Sequence, residues 1–204
     1  MKLLFVSLGC DKNLVDSEEM LGLLTGNGHE IVDSEEEADA IVINTCCFIH
    51  DAKEESVNTI LEMAEYKKTG TCKILIVTGC MAQRYKEEIT KEIPEVDAVL
   101  GTTSYGDIVK ALNEAEAGHV FQEFKDINAL PEDSGRRVIT TGGHFGYLKI
   151  AEGCDKHCTY CIIPSLRGKF RSVPEERLLK QAEYMASQGV RELILVAQET
   201  TVYG

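Results

Sequence analysis

Four short apolar runs, each of single-strand length and separated by helical stretches, leave residues 1–122 little choice of fold. They are 2–7 (Lys-Leu-Leu-Phe-Val-Ser), 39–44 (Asp-Ala-Ile-Val-Ile-Asn), 73–78 (Lys-Ile-Leu-Ile-Val-Thr) and 97–100 (Asp-Ala-Val-Leu), with a weaker fifth at 29–32. Helical periodicity fills 13–27 through Leu14, Met20, Leu21, Leu23 and Leu24, and recurs near 51–68, 82–92 and 104–117. Strands that are apolar at nearly every position need cover on both faces. Alternation with helices therefore predicts an α/β, doubly wound parallel sheet of strand order 2-1-3-4-5.

The domain reading is 1–122 for this unit, 123–145 as a linker, and 146–204 for a second unit. The linker carries Pro131, Glu132, Asp133, Ser134, Gly135, Arg136, Arg137, Gly142 and Gly143 with little periodicity. Beyond it the expectation is a strand at 146–151, a cysteine-rich loop to 173, a helix from Pro174 to Ser187 and a strand at 192–197. Pro174 followed by Glu175 and Glu176 suits a first helical turn. One and a half βα units do not close an eight-stranded barrel, which takes about 200 residues or more. The second unit thus reads as an incomplete barrel.

No apolar stretch approaches the roughly 18 residues of a membrane span. The opening Met-Lys-Leu-Leu-Phe-Val-Ser-Leu runs straight into Asp11 and Lys12, so it reads as a buried strand rather than a leader, and the expected compartment is the cytoplasm. The net charge of −13 is uneven, with 23 acidic against 10 basic residues in 1–122 and 11 of each in 123–204. Such a surface repels an RNA backbone and attracts a basic protein.

Eight cysteines in a chain of this kind argue for metal ligation rather than a disulfide framework. Three stand in Cys154-x-x-x-Cys158-x-x-Cys161, in the loop after a barrel-type strand. Short spacing of this sort wraps a cubane cluster, which ordinarily takes four thiolates. With three, one iron is left open to bind a substrate, as in catalytic against structural zinc sites. A zinc site completed by His157 is disfavoured because His157 adjoins Cys158. A second triplet is dispersed: Cys10, Cys46 and Cys80 each follow a predicted strand. In the order 2-1-3-4-5 those strands are neighbours, so the three cysteines meet at the switch-point crevice. Gly9 and Gly79 precede two of them, where the missing Cβ lets backbone approach a bulky group. Cys47 and Cys72 fall outside both patterns and read as structural, and His29, His50, His119 and His144 show no ligand spacing.

The segments Ser7-Leu8-Gly9-Cys10-Asp11-Lys12-Asn13-Leu14-Val15-Asp16-Ser17-Glu18, Asn44-Thr45-Cys46, Gly79-Cys80 and 153–172 resemble the radical S-adenosylmethionine (SAM) methylthiotransferase family along the whole chain. The wording is most similar to the branch that modifies ribosomal protein. Pro164-Ser165-x-Arg167-Gly168-Lys169-x-Arg171-Ser172 and Ala197-Gln198-Glu199-Thr200-Thr201-x-Tyr203-Gly204 lean the same way.

The resemblance implies a flavodoxin-like first domain, then the start of a radical SAM partial TIM-type barrel. It further implies two 4Fe-4S clusters, on Cys154, Cys158 and Cys161 and on Cys10, Cys46 and Cys80. SAM would be cleaved at the first to a 5′-deoxyadenosyl radical, and a sulfur-bearing ligand would be held at the second. The substrate would be an aspartate β-carbon of small-subunit ribosomal protein twelve, with flavodoxin or ferredoxin as electron donor. Tyr160, Gln198 and Glu199 would contact SAM. Asn13 and Asn44 are candidates to bond cluster sulfurs, and Arg167, Lys169 and Arg171 to meet a carboxylate or simply stand in solvent. Transfer-RNA adenosine methylthiolation is the rival within the family. An iron–sulfur electron carrier or an inactive scaffold are the rivals outside it, and a missing fourth cysteine in both triplets argues against a carrier.

Overall fold

The computed structural model describes residues 1–132 and 135–204, so Asp133 and Ser134 of the linker lie outside the described residues. The first unit runs β1 (Lys2–Ser7), α1 (Asp11–Gly26), β2 (Glu30–Val32), β3 (Ala40–Thr45), α2 (His50–Thr69) and β4 (Ile74–Gly79). It continues with α3 (Cys80–Glu92), β5 (Ala98–Leu100), α4 (Ile108–Glu116) and β6 (Phe121–Glu123). The strands form one parallel sheet of order β2-β1-β3-β4-β5-β6.

Near-continuous apolar strands do here what the pattern requires, feeding alternate side chains to opposite cores. Leu4, Ile41, Ile43, Leu75, Val77 and Val99 face Ile60, Met63, Met81 and Ile89 of α2 and α3. Leu3, Ala40, Val42, Ile74, Ile76 and Leu100 face Met20, Leu24, Ile108 and Leu112 of α1 and α4. Each such side chain contributes about 1.5–3 kcal/mol when fully buried, so both faces are anchored independently. The order matches expectation except that β6, unread in the sequence, adds a sixth strand beside β5.

The second unit holds β7 (Phe145–Lys149), β8 (Ala151–Glu152), α5 (Ile163–Arg167), β9 (Arg171–Ser172), α6 (Glu175–Ser187) and β10 (Glu192–Val196). β7 pairs in parallel with β10, and β8 pairs antiparallel with β9. A small core of Leu148, Ile150, Val173, Leu178, Met185 and Val190 fills the angle beneath α6. Pro174 sits one position before the helix it was expected to open, as its N-cap. Along β10, Leu193, Ile194 and Leu195 are exposed.

The two units are locked by buried charge. Glu18 on α1 takes Arg137 Nε at 2.7 Å and Nη2 at 2.5 Å, and accepts from the Thr140 amide and hydroxyl at 2.7 Å each. Arg137 belongs to the stretch read as a linker, yet it is buried, and its carbonyl accepts from the Tyr184 hydroxyl at 2.8 Å. Asp16, two residues before Glu18 on α1, pairs with Lys149 of β7 and, at 2.7 Å, with Arg167 of α5. Lys149 also pairs with Glu152. Leu166 of α5 is built into the first unit's own core, where the Thr102 hydroxyl donates to its carbonyl at 2.7 Å. Among the described residues no helix is long and apolar enough to cross a membrane.

Candidate metal centre

The first triplet is placed by strand register. Ser7 of β1 lies opposite Asn44 of β3, and Asn44 opposite Thr78 of β4, so the carboxyl ends of three adjacent strands stop level. Cys10 then caps α1, Cys46 leaves β3, and Cys80 is the first residue of α3. Ser56 of α2 fixes Cys46 by accepting from its amide at 3.0 Å and donating to its carbonyl at 2.7 Å. Two helix N-termini point positive dipole ends toward this edge, a setting that favours thiolates. Against that, burial pushes the Cys80 thiol up, with Arg167 pulling the other way.

The glycines beside these cysteines are structural necessities. Gly79 has φ +92°, and a Cβ there would stand 2.3 Å from Asn44 Oδ1 and 2.5 Å from the Thr45 carbonyl. Gly9 has φ +94°, and its Cβ would meet Cys46 Cβ at 2.7 Å. Only glycine lets these turns form with backbone packed so close. Asn13 ties the edge together, donating to the Leu8 and Thr45 carbonyls at 3.1 and 2.9 Å and standing 3.8 Å from Cys80 Sγ. Asn44 donates to the Asn13 carbonyl and to Ser17 Oγ, both at 2.9 Å.

The second triplet rides on the loop between β8 and α5. At Gly153, with φ +74°, a Cβ would stand 2.1 Å from the Lys169 carbonyl oxygen and 2.5 Å from that of Gly168, so a side chain has no room. The loop is tied by the Cys154 amide to the Gly168 carbonyl (3.1 Å), the Cys161 amide to the Cys158 carbonyl (3.0 Å) and the Phe170 amide to Asp155 Oδ1 (3.0 Å). Cys158 is exposed, and Cys154 and Cys161 are partly so.

All six cysteines line one cavity of about 1110 Å³ between the units. Tyr160, Gln198 and Glu199 line it too, Tyr160 as an exposed ring at its lip. Among the described residues Gln198 Oε1 is a buried acceptor with no hydrogen-bond partner, which is costly unless a ligand donates to it. Lys156 and Thr201 grip Glu199 and hold its carboxyl down at about 2, so it stays ionised. Phe48 and Ile49 present exposed apolar surface on the first unit's side, next to Asp51 and Glu55.

These groups suit cubane clusters better than single ions. Among the described residues no three metal-binding side chains converge on one ion position. Thiolates of a cubane attach to separate irons, so they line a space instead of meeting at a point. Cys47 and Cys72 lie in the hydrophobic core, where burial pushes the first thiol to about 11 and raises the second. Neither lines the cavity.

Sequence reading missed the role of Arg167. It does not stand in solvent but is buried between Asp16, Asn13 and Glu152. Asn13 and Asp16 are three apart on α1, so they share a face. That spacing beside Cys10 was the available signal, though nothing in it names a partner 151 positions away.

Comparison with known proteins agrees with both halves. The model described as uncharacterized protein family UPF0004 matches residues 2–101, and that of the radical SAM superfamily matches 148–204. The ribosomal protein uS12 methylthiotransferase RimO of Lachnoclostridium phytofermentans is 65% identical over all of this chain and 46% of its own length. The enzymes of that name from Clostridioides difficile and Acetivibrio thermocellus are 51% identical over all of the chain and 52% over 98% of it, covering 46% and 45% of those proteins. The chain thus spans a little under half the length of the relatives it matches. Two matched segments in this order, and likeness from end to end to proteins so named, show that the chain belongs to the radical SAM methylthiotransferase family.

Proposed function

We propose that this chain forms the cluster-bearing part of a radical SAM methylthiotransferase acting on an aspartate β-carbon of ribosomal protein uS12. The carrying observation is the single cavity lined by all six cysteines of the two triplets. Residues 1–122 serve as the domain holding one cluster on Cys10, Cys46 and Cys80. Residues 123–145 serve as the linker, and 146–204 supply Cys154, Cys158 and Cys161 for the other. When bound, the pair of clusters and SAM supply radical generation at one end of the cavity and a transferable sulfur at the other.

The chain's own residues do the positioning. Gln198 Oε1 accepts a hydrogen bond from a SAM amino or ribose group, answering its unpartnered state. Glu199, kept ionised by Lys156, offers a carboxylate beside it. Tyr160 would pack against the adenine. Phe48 and Ile49 exclude water from the opposite wall, and the acidic first unit, Asp51 and Glu55 included, draws in a basic ribosomal protein. A cytoplasmic flavodoxin or ferredoxin supplies electrons, and any RNA contact falls to segments outside this chain. The uS12 branch is favoured over transfer RNA because the relatives above are uS12 methylthiotransferases.

The test is iron and acid-labile sulfide per chain after anaerobic reconstitution, followed by the mass of offered substrates. Expected are about eight irons, half of them lost when either triplet becomes alanine, and a methylthio mass gain on uS12 in the full-length enzyme. Four irons lost only with the Cys154 triplet would remove the two-cluster reading. A gain on transfer RNA alone would remove the substrate.

A further inference from the structure

Arg167 comes from the second unit but ends at the first unit's cysteines. Its Nη1 pairs with Asp16 at 2.7 Å and lies 3.5 Å from Glu152, and its Nη2 donates to Asn13 Oδ1. The same Asn13 oxygen stands 3.8 Å from Cys80 Sγ, so one amide oxygen bridges the guanidinium and the Cys80 sulfur. Arg167 is 3% exposed, and Leu166 beside it is sunk in the first unit's core. This cation is therefore fixed and dehydrated beside one thiol of the first unit.

Arg167 sits within a network of neighbouring charges. Asp16 is shared between Lys149 and Arg167, and Glu152 lies against both. Two carboxylates facing two cations balance before any thiolate is counted. An ionised Cys80 brings a further negative charge to the guanidinium in a place where water screens little.

We infer that Arg167 is a positioning residue through which docking of the radical SAM unit sets the reduction potential of the iron–sulfur cluster on Cys10, Cys46 and Cys80. The inference rests on the two-cluster reading above. A fixed positive charge at a ligand sulfur favours the reduced, more negative cluster. It also withdraws charge from Cys80 in particular, so the three ligands of that cluster are unequal. The cluster is thereby poised only when α5 is seated, that is, when both halves of the cavity are assembled.

The experiment uses the reconstituted protein carrying Cys154, Cys158 and Cys161→Ala, which leaves only the first unit's cluster to be read. Its parent must hold about four irons. If it holds none before Arg167 is changed, the two-cluster reading has failed and this inference falls with it. Given iron, Arg167→Met is expected to lower the reduced-to-oxidised ratio at fixed applied potential at least tenfold, 59 mV for one electron, with an altered electron paramagnetic resonance spectrum. Arg167→Lys is expected to restore most of the ratio. An unchanged ratio in Arg167→Met with full iron overturns the proposal. If Arg167→Met loads no iron, the charge-balanced Arg167→Met/Asp16→Asn pair is read in its place. The same tenfold fall there upholds the proposal, whereas an unchanged ratio or a second failure to load reduces Arg167 to a structural ion pair and overturns it.

Discussion

The two cysteine triplets reach one cavity by opposite means. Cys10, Cys46 and Cys80 come from three strand ends spread over 70 residues, and the sheet's register alone brings them level. Cys154, Cys158 and Cys161 come from one loop of eight residues tied to its surroundings by a few backbone bonds. The first arrangement is prepaid by a core that would form for its own reasons. The second is local, accessible and held by little else. A distributed site inherits the stability of its fold, and a local one inherits its freedom to open.

The strongest break of this contrast is a set of alanine substitutions at each triplet. Alanine at Cys154, Cys158 and Cys161 is expected to abolish SAM cleavage while shifting the stability of the iron-free protein by less than about 0.5 kcal/mol, as for exposed sites. Alanine at Cys46 and Cys80 is expected to cost about 1 kcal/mol each in urea titration, because both are buried in the packed edge. Equal stability losses at the two triplets would erase the distinction.

Larger in stability, though without loss of chemistry to read, is the seam between the units. Asp16→Ala leaves Lys149 and Arg167 facing Glu152 alone, and is expected to cost about 3–5 kcal/mol. Urea unfolding followed by far-ultraviolet dichroism measures it, and a loss below 1 kcal/mol would mean the buried ions do not hold the units together.

Smaller still is the glycine pair. Gly79→Ala is expected to destabilise by about 1–3 kcal/mol, since both its φ of +92° and the Asn44 and Thr45 oxygens oppose a methyl group. Gly142→Ala, at φ +80° with nothing within 4 Å, tests strain alone and is expected to fall at or below about 1 kcal/mol. If the two match, crowding at the cysteine edge is absent. Smallest of all, Cys47→Ala and Cys72→Ala are expected to keep the full iron content. Loss of iron from either would add a ligand to the distributed site.

Much of this arrangement was legible beforehand, for a physical reason in each case. Ile41, Val42, Ile43 and Leu75, Ile76, Val77 signal doubly covered strands because two faces need apolar side chains in alternation. Strand order then carries the three distant cysteines to one edge without further information. β6 was not legible, for among Phe121, Gln122 and Glu123 only one residue is apolar and its pairing depends on β5 being present. α5 was hidden likewise: Ile163–Arg167 is too short for periodicity to show and ends in a basic run that reads as solvent-facing. Its burial follows from Asp16, Asn13 and Thr102, whose separations of 151, 154 and 64 positions leave no local trace.

The seating of Leu166 in the first unit's core has a consequence in time. A ribosome making this chain releases Glu123, the last residue of the sheet, well before Leu166 and Arg167 exist. At 5–20 residues per second the gap lasts about 2–9 s. During that interval the nascent sheet has its strands but lacks one of the side chains packed beneath Cys80 and Met81. The cysteine edge therefore passes through an uncovered stage at every synthesis, and a cell that delivers iron and sulfide to it has those seconds in which the way in is widest.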